Sequence, residues 1–159
     1  MLGKIIRRLN IEVKVLYYRI AKSNISIGRN FRFRKGLTLN CSPSGKIIIG
    51  NDVFMNNYTS INAHKKVYIG DNSIIGENVK IYDHNHSFSD KNKLIKEQGY
   101  KVKEVSIGSN CWIGSNVVIL AGANIGDNVV IGAGCVINSS IADNSVVKNN
   151  QSYIIESRR

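Results

Sequence analysis

Apolar residues return every six positions along most of this chain, in blocks of three: Ile27, Phe33, Leu39; Ile49, Met55, Ile61; Ile69, Ile75, Ile81; Ile107, Ile113, Ile119; and Ile125, Ile131, Ile137. Glycine follows the apolar residue at Gly28, Gly50, Gly70, Gly76, Gly108, Gly114, Gly126 and Gly132. Glycine at a fixed phase marks a backbone constraint at a fixed phase. An α-helix cannot use this pattern, because six residues at about 100° each turn the side chain through roughly 240° and scatter the three apolar groups around the axis. Three short extended segments joined by bends can use it. Each then contributes one inward residue, and eighteen residues close a triangular coil whose stacking buries a continuous column. The residue two before each inward position is often small or β-branched, as at Ser73, Val79, Cys111, Val117, Ala123, Val129 and Cys135, and is predicted to face inward too. Five full coils and a partial sixth are expected over residues 23–147.

The interruptions are equally regular. The interval of six stretches to ten between Leu39 and Ile49, to eight between Ile61 and Ile69 and to twenty-six between Ile81 and Ile107, always after the third hexad of a block. All insertions therefore leave one corner of the prism. The longest, roughly residues 82–106, is polar, and long loops on a rigid scaffold commonly carry function.

Residues 1–22 have a different period. Leu2, Ile5, Ile6, Leu9, Val13, Leu16, Tyr17 and Ile20 fall at helical spacing, and six basic residues stand against Glu12. This predicts an amphipathic basic helix, packed on the coil base or a neighbouring subunit, or lying on an anionic membrane. Residues 148–159 read as a polar tail. The 159 residues suit one domain, and the formal charge of +11 favours anionic partners without bearing on the fold. No apolar run is long enough to cross a membrane as a helix and no secretory signal is recognisable, so a cytoplasmic protein, at most peripheral at the inner face of the membrane, is expected. Cys41, Cys111 and Cys135 form no C-x-x-C pair and read as buried free thiols.

The three histidines, His64, His84 and His86, all follow the third hexad of consecutive blocks. Coils stack about 4.8 Å apart, so His64 is expected beside the root of the loop carrying the other two. His84 and His86 alternate as i and i+2 along an extended segment and can share one side. Imidazole titrates near neutrality and suits acid–base work. Trp112 sits just before an inward isoleucine, so it should point outward.

The stretches IGDNSIIGENVKIYDHNH (69–86) and VSIGSNCWIGSNVVILAGANIGDNVVIGAGCVI (105–137) resemble the hexapeptide-repeat acyltransferases with a left-handed parallel β-helix, of the sugar O-acetyltransferase type related to galactoside and maltose acetyltransferases. The resemblance covers approximately residues 49–147. It implies that acetyl-CoA donates an acetyl group to a sugar hydroxyl, with His86 as general base; Asp83, three residues earlier, can orient or charge-stabilise an imidazole. The resemblance places acceptor contacts at Asn56 and His64, with His64 standing where those enzymes carry a carboxylate; His84, alternating with His86 along the strand, is a third candidate for bonding the acceptor. It lays coenzyme A along Trp112, Ser115, Ala133, Asn138 and Ser139. It also implies a homotrimer with sites between neighbouring prisms, and no metal. The degenerate closing segment VVKNNQSY leaves no basis for adenosine contacts beyond Ser139.

Two other readings use the same scaffold. In a γ-type carbonic anhydrase three histidines hold zinc, but those ligands lie about two coils apart, whereas His64 and His84 are about one coil apart. A passive β-helix scaffold needs no histidine-bearing excursion. Nothing resembles an aromatic-basic platform or reading helix, so nucleic acid is not an expected partner. The acceptor expected is a sugar on a nucleotide- or lipid-linked intermediate of surface polysaccharide.

Overall fold

The computed structural model describes residues 13–18, 20 and 22–150. The hexads form the coils they predict. The first coil is β1 (Ile25–Ile27), β2 (Arg32–Phe33) and β3 (Thr38–Cys41); the second is β4 (Ile47–Ile49), β5 (Phe54–Met55) and β6 (Ser60–Ala63); the third is β7 (Val67–Ile69), β8 (Ile74–Ile75) and β9 (Lys80–Tyr82). A hairpin of β10 (His84–His86) and β11 (Tyr100–Val102) then leaves the prism. The fourth coil is β12 (Val105–Ile107), β13 (Trp112–Ile113) and β14 (Val118–Ile119); the fifth is β15 (Asn124–Ile125), β16 (Val130–Ile131) and β17 (Val136–Ile137); and β18 (Ser140–Ile141) with β19 (Val146–Val147) begins a sixth.

Corresponding strands pair in parallel into three sheets. The first runs β1-β4-β7-β12-β15-β18, the second β2-β5-β8-β13-β16-β19 and the third β3-β6-β9-β14-β17. The result is a left-handed parallel β-helix of about six turns. Register keeps like residues above one another, with Ile75 opposite Met55 and Ile113, and Ile113 opposite Ile131. Every inward hexad position from Ile27 to Ile137 is buried, as are the seven residues two before them. Thr59 and Ser73 are polar residues at that inward phase; the Ser73 Oγ donates to the Gly108 carbonyl while accepting the Cys111 N–H.

Corner geometry explains the glycine phase. A Cβ on Gly70 would lie 2.6 Å from the carbonyl carbon of Gly108 in the next coil, so the backbones pass too closely for a side chain. Two residues after such glycines the chain turns through positive φ at Asp52, Asn72, Asn110 and Asn128, and the matching turn after Ala142 does so at Asn144, with φ of 54° to 60°. Asparagine tolerates this conformation better than most residues. Their side chains also join successive coils, Asn110 Nδ2 donating to Asn128 Oδ1 at 2.8 Å and Asn128 Nδ2 to Asn144 Oδ1 at 3.2 Å. The hexad analysis did not single out this asparagine ladder.

Cys111 and Cys135 are buried and Cys41 is half-buried, all three as free thiols. Burial pushes the Cys41 and Cys111 thiols up from their ordinary pKa, against thiolate chemistry at neutral pH. Residues 13–18 and 20 are helical. Tyr18 is buried, Val15 packs on the core, and Lys14 Nζ donates to the Leu37 carbonyl at 2.7 Å, so this face sits on the first coil. The remainder of the predicted helix at 1–12 and the end of the tail at 151–159 lie outside the described residues.

Replacing a column residue leaves a cavity that rigid, paired backbones cannot close. Ile113→Ala is expected to cost about 2–5 kcal/mol, measured as a lowered urea midpoint with an unchanged m-value.

Candidate active site

Three corners join the sheets. The third corner, between the third sheet and the first, takes all the insertions: residues 42–46, 64–66 and 83–104. Tyr82 closes β9 and Val105 opens β12, so the excursion proper is shorter at both ends than the 82–106 pattern suggested. Beneath it the coils continue to pair, β7 with β12 and β9 with β14.

Asp83 sits at the root of the excursion, fully buried. Its carboxylate accepts the backbone N–H of His64 at 2.8 Å, of Lys65 at 2.7 Å and of Lys66 at 2.8 Å, and contacts His84 Nδ1 at 3.0 Å. The turn at 64–66 leaves sheet pairing, so its amides need acceptors, and one carboxylate supplies them all. The imidazole that Asp83 holds is that of His84, and the contact fixes Nδ1 as the proton-bearing nitrogen when the ring is neutral.

His64 stacks on His84 with ring centroids 3.7 Å apart and planes 14° from parallel. Tyr100, from the opposite strand of the hairpin, touches all three histidines. Its ring lies 4.5 Å from His64, 5.3 Å from His84 and 4.6 Å from His86. The antiparallel register sets Tyr100 opposite His86, which explains why a residue fourteen positions downstream joins the cluster. Sequence spacing gave no warning of this tyrosine; the usable signal was an aromatic directly after Gly99. His64 and His84 are half-buried, whereas His86 is exposed.

Burial and the neighbouring His84 push the His64 pKa below its ordinary value. Near-parallel stacking keeps the in-plane nitrogens of His64 and His84 from converging on one ion. Among the described residues no group of three or more His, Cys, Asp or Glu side chains is arranged to hold a metal.

The other predicted residues divide between two corners. Asn56 follows β5, Ser115 follows β13 and Ala133 follows β16, all at the second corner between the second and third sheets. Trp112 lies in β13 with its side chain 57% exposed, outward as its phase predicted. Asn138 and Ser139 follow β17 at the third corner, two coils beyond the root of the histidine excursion. The third sheet separates the two groups. β6 alone has four residues, which at about 3.3 Å each spans some 13 Å, too far for one small acceptor to touch Asn56 and His86 of the same chain.

The bacterial transferase hexapeptide model (six repeats) matches residues 104–139. Over 140 residues, 84% of this chain, the sequence is 34% identical to WbbJ of Escherichia coli strain K12, named provisionally as a lipopolysaccharide biosynthesis O-acetyl transferase, and covers 71% of it. Among solved structures, a maltose O-acetyltransferase from Clostridium difficile 630 is 33% identical with a TM-score of 0.66, covering 80% of this chain and 67% of its own. A galactoside acetyltransferase in complex with coenzyme A is 32% identical with a TM-score of 0.62, covering 73% of this chain and 60% of its own. The chain belongs to the hexapeptide-repeat family of acyltransferases.

Two outcomes test this geometry. Because its pKa is lowered on folding, His64 binds a proton more readily in the unfolded chain, so its contribution to stability is present above about pH 6.5 and lost as pH falls below it. The thermal midpoint should drop between pH 7.5 and pH 5.5, and His64→Gln should flatten that slope. Asp83→Ala strands three backbone amides and should lower stability by about 3 kcal/mol or more, seen as a lowered denaturation midpoint.

Proposed function

We propose that the protein is an acetyl-CoA-dependent sugar O-acetyltransferase with His86 as its general base. The observation that carries this reading is the sorting of three histidines by exposure, with His64 and His84 stacked behind and His86 presented at the surface. The first two are engaged with each other and, through His84, with Asp83. His86 is left to meet a substrate.

In the proposed reaction the acceptor hydroxyl oxygen attacks the thioester carbonyl carbon while His86 takes its proton. The carbonyl electrons move onto oxygen, where a backbone amide of the coil wall can hold the charge. Collapse of this tetrahedral intermediate breaks the carbon–sulfur bond. The thiolate leaves with the proton returned by His86, and no acyl-enzyme forms. Asp83 and His84 act as positioning residues, fixing the turn on which His64 rides and the strand from which His86 projects.

The division of the candidate residues supports a homotrimer. If the second corner of one prism faces the third corner of its neighbour, Asn56, Trp112, Ser115 and Ala133 of one chain meet His86, Asn138 and Ser139 of the next. Coenzyme A then lies in the groove between prisms, and Trp112 has a reason to be exposed. The name of the WbbJ relative supports an acceptor in surface polysaccharide synthesis, and the net charge of +11 suits a phosphate-linked sugar, carried on a nucleotide or a lipid.

The test is acetyl transfer from acetyl-CoA across a panel of free, nucleotide-linked and lipid-linked sugars. His86→Ala should lose about 10² to 10⁴ in turnover with its thermal midpoint kept. Unimpaired turnover in that variant would remove His86 as the base. Co-refolding inactive His86→Ala chains with inactive Asn56→Ala chains should restore part of the activity, since mixed trimers contain some intact grooves; no recovery would refute the shared site.

A further inference from the structure

The net charge is not spread over the molecule. The first 51 residues hold eleven of the 22 Lys and Arg residues and a single acid, Glu12; the remaining 108 are nearly balanced, eleven basic against ten acidic. Within the described part, Lys22, Arg29, Arg32, Arg34, Lys35 and Lys46 all belong to the first coil or its flanks, all are exposed, and no acidic residue lies between positions 13 and 51. By contrast residues 105–147, which carry the candidate donor contacts, contain no Lys or Arg. The basic end of the prism is therefore not the donor groove of the same chain.

A second observation falls on the same end. Val13, Leu16, Tyr17 and Ile20 lie at positions i, i+3, i+4 and i+7 of the helical segment and are 54% to 74% exposed. Lys14, Val15 and Tyr18 occupy the opposite side, against the first coil. The apolar stripe thus points away from the protein it is attached to. Asp71 acts on Arg29 and Glu77 on Lys35, yet the cations of this end outnumber the acids that reach them. An apolar helix face beside such a net-positive cluster is the chemistry that seats a helix at an anionic lipid surface, apolar groups entering the headgroup boundary and cations meeting phosphates.

We propose that the first-coil end of the prism is a docking face for an anionic lipid bilayer, on which the protein stands end-on. The inference rests on the acetyltransferase reading, because it sets where the acceptor is met. At about 4.8 Å per coil, the histidine cluster rises from between the second and fourth coils, on the order of 10 Å above the docked end. That height suits a sugar joined by phosphate to a lipid carrier. A second copy of this chain is a poorer occupant, since two such ends bring like charges together.

Full-length protein is sedimented with vesicles of phosphatidylcholine alone or with 30% phosphatidylglycerol, at 50 mM and 500 mM salt. Binding should require the anionic lipid and weaken at high salt. Arg32→Glu with Arg34→Glu should weaken it tenfold or more, Leu16→Glu with Ile20→Glu should do likewise, and Lys148→Glu at the far end should not. Circular dichroism and light scattering establish that each variant keeps its fold and assembly.

Absent binding at 50 mM salt, or binding indifferent to both pairs, overturns the proposal. So does self-association of the full-length protein that Leu16→Glu abolishes, since the stripe is then occupied by another copy. Acetylation of a soluble acceptor without vesicles separates the two readings. Activity without vesicle binding rejects only the docking face, whereas vesicle binding with His86→Ala fully active rejects only the assigned base.

Discussion

Parallel coils stacked at strand spacing leave almost no choice in what each position can be. Backbone amides of one coil must reach carbonyls of the next around the whole circuit, so the corners must turn sharply and lie nearly on top of one another. This requirement puts glycine where Gly70 and Gly108 meet and asparagine where φ turns positive. It also puts isoleucine on the inside, where a β-branched side chain fills a narrow triangular column and stacks on its own kind. The apolar repeat is a by-product of that geometry as much as its cause.

The same constraint separates scaffold from chemistry. Two of the three corners turn in minimal hexad register, and the third absorbs everything irregular. There the sheet ladder is interrupted, and its unpaired amides have to be satisfied by something else. Asp83 does this by reaching from one coil to the turn of the previous one, and in doing so it ties His64 and His84 into one stack. A carboxylate that repairs the backbone therefore also determines which imidazole is left exposed.

How much was legible in the sequence varies with the range of the interaction. The column from Ile27 to Ile137, the burial of Cys111 and Cys135, the outward Trp112 and the meeting of His64 with His84 follow from a period and its phase, which any single coil contains. Asp83 could be placed beside a histidine, but its three amide partners could not, because they depend on how the 64–66 turn leaves the sheet. Tyr100 was invisible for a similar reason. Its approach to His86 is set by the register of an antiparallel hairpin embedded in a parallel fold, and nothing in the hexads encodes that register. The helix pattern was legible as amphipathic, yet the side facing the first coil carries Lys14, Val15 and Tyr18, because a terminal coil offers only a small apolar footprint and a tyrosine with an adjacent aliphatic residue fills it.

The excursion between Tyr82 and Val105 leaves the coils beneath it paired as though it were absent. Its length and composition can therefore change without disturbing any column residue, and loop-closure entropy grows by only about 0.6 kcal/mol for each doubling of length. The hairpin can thus be exchanged while the prism is kept. Sequence change tolerated by the frame should concentrate in those residues, and chimeras that swap them should keep the prism folded.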